Sequence, residues 1–232
     1  MKKIAILTGA GMSVESGLST FRGGGGMWDN YPVEKVASAD GYRENPALVL
    51  EFYNKRRKEL LGVQPNKGHR LIAALEQEYN VTVITQNVDN LHEKAGSSKV
   101  IHLHGELMKV CSSRAPENME LVRTLSEDAI EISIGDLAAD GSQLRPFIVF
   151  FGEGVPLMSD AIAAMRDIDV FIVIGTSLNV YPAASLLDFV PHGKPVYLID
   201  PNDVRIPPYS NVTHIRKGAS EGMEFFIDNY LK

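Results

Sequence analysis

Cysteine occurs once in this chain of 232 residues, at position 111. A single thiol cannot close an internal disulfide, and such sparing use fits a reducing compartment. Long apolar runs are missing as well: none approaches the roughly 20 residues that a membrane-spanning helix needs. The opening MKKIAILTGAG starts like a leader peptide, but its apolar run meets Thr8 and Gly9 too soon for a leader core of about 7–15 residues. Positive charge is not in excess: 23 Lys and Arg stand against 29 Asp and Glu, a net charge of −6. No global positive field therefore draws in nucleic acid or an anionic membrane. There is no internal repeat and no low-complexity tract. A soluble, cytoplasmic, monomeric protein without nucleic-acid or membrane partners is expected.

What is present is a rhythm. The apolar runs IAIL (4–7), VTVIT (81–85), VIHL (100–103), FIVFF (147–151), VFIVIG (170–175), PVYLI (195–199) and VTHI (212–215) are mostly continuous, as in parallel strands covered on both faces. Helical patterns lie between several of them, at 69–79, 159–168, 182–190 and 220–231. The alternation predicts an α/β fold, a Rossmann-like doubly wound parallel sheet. Two segments break the rhythm. Residues 23–65 open with GGGGMWDNYP and continue into the helix-like ENPALVLEFYNKRRKELL. Residues 106–145 mix β-like pieces (LMKVCS, IEISI) with the turn-rich AADGSQ. A single domain over 1–232 is expected. Its core comprises approximately 1–22, 66–105 and 146–232, with a helical insert at 23–65 and a small module at 106–145.

After the first run comes TGAGMSVESG (8–17), where Gly9 and Gly11 let backbone approach a pyrophosphate at the start of a helix. The full dinucleotide fingerprint fails, because Val14 occupies the third glycine's place and no acidic strand end follows. A tight turn that binds nothing is an equal reading of that pair alone. Gln86, Asn87 and Asp89 follow a strand end, a position that suits a site but also a plain Asx-turn. Gly175, Thr176 and Ser177 end another strand, and by themselves read as a helix cap. His104, with His102 two residues earlier, suggests a metal pair on one strand face, but no further ligand pattern supports it. A Cys111–His104 nucleophile pair is a further option at seven residues' spacing. Tyr53 and Arg56, three apart, share a helical face, and the basic stretch around them reads as a solvated stripe.

Taken in order, TGAGMSVESGLSTFRGG, PNKGHRLIAALE, TQNVDNLHEKAG, HLHGEL, RPFIVFFGEGVP and GTSLNVYPAA resemble the sirtuin family of NAD-dependent protein-lysine deacylases. The match spans nearly the whole chain except 106–144. The resemblance implies NAD as cofactor, held by Gly9, Ala10 and Gly11, by Phe21 and Arg22 in a loop able to close with the GGGG tract, and by Gly175, Thr176 and Ser177. It places Asn87 and Asp89 at the nicotinamide, Asp89 accepting from the carboxamide, and Gln86 near the ribose. His104 becomes the general base, and Asn87 joins it as a catalytic residue. The acyl-lysine oxygen attacks the ribose C1′ and expels nicotinamide, leaving an alkylimidate; His104 takes a ribose hydroxyl proton as the 2′-oxygen attacks the imidate carbon; water then releases lysine and O-acyl-ADP-ribose. An imidazole suits that role, typically worth about 10²–10⁴ in rate. Val149, Phe151, Gly152 and Val155 are expected to line an acyl-lysine tunnel. Tyr53 and Arg56 resemble the Tyr-x-x-Arg signature of members that remove succinyl or malonyl groups, a guanidinium being suited to grip a carboxylate.

Two departures accompany the resemblance. Most members carry two Cys-x-x-Cys pairs in the 106–145 region for structural zinc, whereas here Cys111 is alone; no zinc, and no other metal, is expected. Structural zinc contributes roughly 10–16 kcal/mol in finger peptides. About six buried apolar side chains, at roughly 1.5–3 kcal/mol each, could replace it. Candidates are Leu107, Met108, Val110, Met119, Leu121, Val122, Leu125, Ile130, Ile132, Ile134 and Leu137. The second departure is Asp200, where members usually place Asn beside the adenosine ribose. Competing outcomes are ADP-ribosyl transfer to protein, NAD hydrolysis, or a non-catalytic NAD-sensing module. The partners implied are acylated lysine side chains of proteins.

Overall fold

The computed structural model describes residues 1–18, 31–204 and 211–231. β1 (Lys3–Thr8) is followed by a 3-10 helix (Ala10–Ser16) and by α1 (Val33–Val36), α2 (Ala39–Glu44), α3 (Pro46–Leu61) and α4 (Lys67–Ala74). Next come β2 (Asn80–Thr85), α5 (Leu91–Ala95), β3 (Val100–His102), β4 (Gly105–Ser112), β5 (Arg123–Thr124) and β6 (Leu144–Ile148). α6 (Met158–Ala164), β7 (Val170–Ile174), β8 (Val196–Ile199), β9 (Val212–Ile215) and α7 (Ala219–Tyr230) complete the chain.

Six strands form one parallel sheet in the order β3-β2-β1-β7-β8-β9. The continuous apolar character of its strands follows from two-sided cover. In β1, Ile4 and Ile6 pack with Ile72, Met223 and Phe226 of α4 and α7. Ala5 and Leu7 face the other layer, with Ala161, Met165 and Leu186. Local signals set the helix starts. Asn45 accepts from the Leu48 amide with Pro46 at the first turn of α3, and Asn66 accepts from the His69 amide at α4. Chain order reverses between β1 and β7, so loops leaving the carboxyl ends of β1, β2, β7 and β8 converge on one crevice, the switch point where open α/β sheets bind ligands.

A separate antiparallel sheet, β5-β4-β6, forms the small module. Here the structure differs from the sequence reading in three places. The run at 147–151, read with the covered strands, contributes instead to β6, an edge strand paired only with β4. Pro146 lacks a ladder donor and suits such an edge. Residues 130–134 form no strand, although Ile130 and Ile132 are buried. Of the eleven apolar side chains proposed to replace zinc, only Leu107, Val110, Ile130 and Ile132 are fully buried, while Met119, Ile134 and Leu137 are exposed. Apolar burial alone is therefore thinner than the six side chains expected. Among the described residues no helix is long and apolar enough to cross a membrane.

Candidate active site

At the switch point lies a cleft of about 430 Å³. Of the residues singled out in the sequence, Ala10, Gly11, Tyr53, Arg56, Gln86, Asn87, His104, Val149, Phe151, Gly152, Val155, Gly175, Thr176, Ser177 and Asp200 all line it. Asp89 lines a narrow recess that shares Ala10, Arg56, Asn87 and Val88 with the cleft. Gly9 does not line the cleft, but its carbonyl accepts from Asn87 Nδ2. Phe21, Arg22 and the GGGG tract lie outside the described residues.

The glycines bring two strand-end loops into contact at the edge of the cleft. The Gly9 and Gly11 amides donate to the carbonyls of Ile174 and Gly175, at 3.0 and 2.8 Å, and are not offered to a ligand. A Cβ on Gly11 would sit 2.6 Å from the Gly175 Cα, and Gly175 itself holds φ +62°. Only glycine lets these two strand-end loops touch. The following helix is a short 3-10 turn whose Met12 amide returns to the Gly9 carbonyl. The amides of Ala10, Thr176 and Ser177 donate to no described residue, and they edge the same crevice. Among the described residues Gln86 Nε2 is buried without a partner, while its Oε1 lies 3.5 Å from the Thr176 hydroxyl. Unspent amides and an orphaned amide group on a polar wall fit a dinucleotide with phosphate and ribose oxygens. Asp200, at the end of β8, accepts from the Asn202 amide and side chain through Oδ1. Its other oxygen remains able to accept from a sugar diol.

His104 Nδ1 lies 3.0 Å from the Gln86 carbonyl. A carbonyl only accepts, so Nδ1 carries the proton and Nε2 keeps its lone pair. Burial lowers the pKa of this ring, partly offset by that bond, so it stays neutral and basic at neutral pH. Its own carbonyl accepts from the Val149 amide, 3.0 Å away. His104 thus stands between the polar wall and the apolar one. Gly105, at φ +84°, is required next, because a Cβ there would lie 2.0 Å from the Phe147 carbonyl oxygen.

Asn87 donates three hydrogen bonds. Its amide donates to Thr85 Oγ1 at 3.0 Å, and Nδ2 donates to the Gly9 carbonyl and Ser13 Oγ at 3.0 and 3.2 Å. Among the described residues nothing donates to Oδ1, which is the group it can offer to a ligand. Asp89 accepts from Ser13 Oγ and the Leu91 amide, at 2.9 and 3.1 Å. Burial raises its pKa, against the Leu91 amide, the Ser13 hydroxyl and the His102 charge.

On the apolar side, Tyr53 is buried against Phe52 and Phe150, and burial pushes its phenol up. Arg56, one turn along α3, pairs with Glu59 at 2.5 Å. Phe151 is half exposed at the rim, its amide donating to the Ala37 carbonyl at 2.8 Å. The sequence reading missed Ser13, which ties Asn87 to Asp89, and Glu153, which lines the cleft. Glu153 receives Arg145 Nη1 and Nη2 at 2.6 and 3.0 Å and the Phe150 amide at 2.9 Å. Both lie inside the quoted GMSVES and FGE stretches, which were the available signal.

The geometry also settles the options left open for the histidines and the cysteine. His102 Nδ1 faces the Asn87 carbonyl and Nε2 faces Glu93, so neither nitrogen is free for a metal. Among the described residues no three His, Cys, Asp or Glu side chains group as ligands. Cys111 is fully buried outside the cleft, its Sγ 3.7 Å from the Pro146 carbonyl, and burial pushes the thiol up to about 11. A nucleophilic thiolate is excluded there at neutral pH.

Known proteins share this sequence pattern and this fold. The pattern of the Sir2 family matches residues 9–182. An NAD-dependent protein deacylase of Bacteroides thetaiotaomicron is 60% identical over 97% of this chain and 96% of its own. One from Helicobacter pylori (strain J99) is 48% identical over 100% of this chain and 97% of its own. Among solved structures, a Sir2 homolog–NAD complex is 38% identical with a TM-score of 0.85, covering 98% of this chain and 88% of that one. The matched span holds the β1-end loop, the 86–89 loop, His104 and the β7-end loop, and with that identity over nearly full length the chain belongs to the Sir2 family.

Proposed function

We propose that this chain is an NAD-dependent protein-lysine deacylase that removes acidic as well as neutral acyl groups, releasing nicotinamide and O-acyl-ADP-ribose. One observation carries the reading: a histidine with a fixed tautomer stands where a polar wall of strand-end loops meets an apolar wall, in one cleft. The high identity to deacylases over nearly the whole length supports it.

Bound NAD supplies an activated glycosidic carbon and a ribose whose hydroxyls can accept the acyl group. The chain's residues do the rest. Ala10, Thr176 and Ser177 donate backbone N–H to phosphate, Gln86 Nε2 meets a ribose oxygen, and Asp200 accepts from the distant ribose. Asn87 Oδ1 and Asp89 orient a carboxamide in the recess. His104 Nε2 takes a hydroxyl proton, and its Nδ1–H bond to Gln86 stabilises the imidazolium so formed. Val149, Phe151, Gly152 and Val155 enclose the lysine stem and exclude water. Tyr53 and Arg56 present a phenol and a guanidinium to an acyl carboxylate, Arg56 dividing its five donors between substrate and Glu59.

The module holds together without zinc. Around Cys111, Ser112 Oγ lies 2.7 Å from Asp140 Oδ2 and 2.8 Å from Ser142 Oγ, and Ser142 Oγ donates to Asp140 Oδ1 at 2.7 Å. The Arg114 and Ala115 amides both donate to Ser112 Oγ at 3.1 Å. A closed polar knot ties the two ends of the module together.

Turnover of acetyl-, malonyl- and succinyl-lysine peptides with NAD tests the reading, with products identified by mass. His104→Ala is expected to lose at least about 10²-fold in kcat while remaining folded, and full turnover by that variant refutes the assignment. Arg56→Met lowers the succinyl-to-acetyl ratio; an unchanged ratio removes Arg56 from acyl selection. Elemental analysis expects no stoichiometric zinc.

A further inference from the structure

His102 ends β3 with its ring buried. Nδ1 lies 3.1 Å from the Asn87 carbonyl and Nε2 lies 2.7 Å from Glu93 Oε1 on α5. A carbonyl and an ionised carboxylate can only accept, so both ring nitrogens must carry protons. Two residues on, His104 grips the neighbouring Gln86 carbonyl with one ring nitrogen only. Successive carbonyls of the 86–89 loop are therefore held by two rings of different charge, one cationic and one neutral.

We propose that His102, locked as an imidazolium by Glu93, is a positioning residue that fixes the Asn87 carbonyl and so keeps the 86–89 loop in the form that binds NAD. The inference rests on the NAD-dependent reading above. Loss of one ring proton leaves either the Asn87 carbonyl without its donor or a nitrogen lone pair against the Glu93 carboxylate. Each breaks the grip on the loop, so binding weakens as the solution becomes alkaline.

The groups around the ring agree on its state. Burial by itself lowers the His102 pKa, but the bond to Glu93 and its charge, the Glu106 charge and the Asn87 carbonyl together raise it. For Glu93, burial is outweighed by the bond and charge of His102, which lower its pKa. From β4, Glu106 is partnered by Lys109 at 2.6 Å. On the loop, Asp89 feels the His102 charge. From α5, His92 is kept neutral by burial, and His69 and His102 beside it lower its pKa further.

The test measures NAD affinity by calorimetry from neutral to alkaline pH and, in parallel, follows the His102 ring by NMR in histidine-labelled protein. The His102 signal is identified as the one lost in His102→Gln. Wild type is expected to weaken about ten-fold as that ring titrates, above the range of an ordinary histidine. In Glu93→Gln the amide can donate to a neutral ring, so the affinity curve flattens. If wild-type NAD binding holds constant while the ring titrates, or if the Glu93→Gln curve superimposes on the wild-type one, the positioning role is overturned. If wild type binds no NAD at any pH, the functional reading falls and this inference with it. The ring titration needs no variant that might misfold, and a His102 signal moving in the ordinary histidine range overturns the locked pair by itself.

Discussion

The six-stranded sheet and the three-stranded module solve the same problem with different materials. The sheet buries continuous aliphatic strands between two helical layers, and its interior polar groups are chiefly threonines and histidines behind the strand ends. The module has little apolar interior: Leu50 of α3 with Val110, Ile132 and Leu144. Its attachment is largely polar. Arg57, fully buried on α3, donates to the carbonyls of Leu107 and Ile130 at 2.8 and 3.3 Å and to Asn54 Oδ1 at 2.7 Å. Asn54 in turn receives the Ile132 amide and donates to its carbonyl, at 3.1 and 2.9 Å. Burial lowers the Arg57 pKa to about 10, so it remains charged at neutral pH. Apolar packing is tolerant of small changes in shape, whereas a directional bond to a buried charge is not, and the two regions should fail differently.

The largest effect is expected in the sheet. Ile172 is fully buried and packs with the α4–α7 layer, so Ile172→Ala should cost about 2–5 kcal/mol and lower the denaturant midpoint of the whole chain. Arg57→Met should come next, at about 3 kcal/mol, because it strands two buried carbonyls. Hydrogen exchange distinguishes the two. Arg57→Met should expose the 105–148 amides before those of β1 and β7, while Ile172→Ala raises exchange throughout. Equal loss of protection everywhere in both variants would show that the module and sheet unfold as one unit.

How far the sequence revealed each region follows from the same contrast. Two-sided burial prints itself locally as runs of Val and Ile, so β1, β2, β7 and β8 were legible, as were α3 and α7 from their spacing. The site residues were legible where glycine pairs and polar clusters follow those runs. The contact of Gly9 and Gly11 with the β7-end loop was not, because their amides bond the carbonyls of Ile174 and Gly175, far away in sequence. Nor was the exchange of residues 144–148 into the module. An edge strand with Arg145 and Pro146 carries no periodicity of its own, and its pairing with β4 is visible only in three dimensions. The Arg57 ties and the Ser112–Asp140–Ser142 knot join positions dozens of residues apart, and no local pattern marks them. Apolar composition at 106–145 suggested a hydrophobic interior for the module, whereas hydrogen bonding does much of the joining.

Acid should probe the sheet side more than the module. His69 is fully buried, with neither ring nitrogen partnered among the described residues, and packs edge-on to His92 at 4.8 Å between centroids. Burial lowers the His69 pKa to about 4. The unfolded chain, near the ordinary histidine value of about 6.5, binds that proton more readily. Stability from the neutral ring is therefore complete above that value and is lost as pH falls toward about 4, by up to roughly 3 kcal/mol. His92, shifted the same way, steepens the loss. Thermal unfolding across this window should show the decline, and His69→Leu should make it shallower; an unchanged slope would place the acid sensitivity elsewhere.

The smallest expected effect is the most local. Ser142→Ala removes one hydroxyl from the knot that joins Ser112 to Asp140, and a typical buried hydrogen bond contributes about 1 kcal/mol. The Asp140 carboxyl, held down to about 2 by the hydroxyls of Ser112 and Ser142 and the Ser142 amide, should rise in the variant, which NMR titration of that carboxyl can follow. Exchange should quicken at the Arg114 and Ala115 amides, whose shared acceptor is Ser112 Oγ, while the six-stranded sheet keeps its protection. Should the change reach β1 or β7, the knot is coupled to the sheet core, and the module is less independent of it than its separate hydrogen-bond ladder indicates.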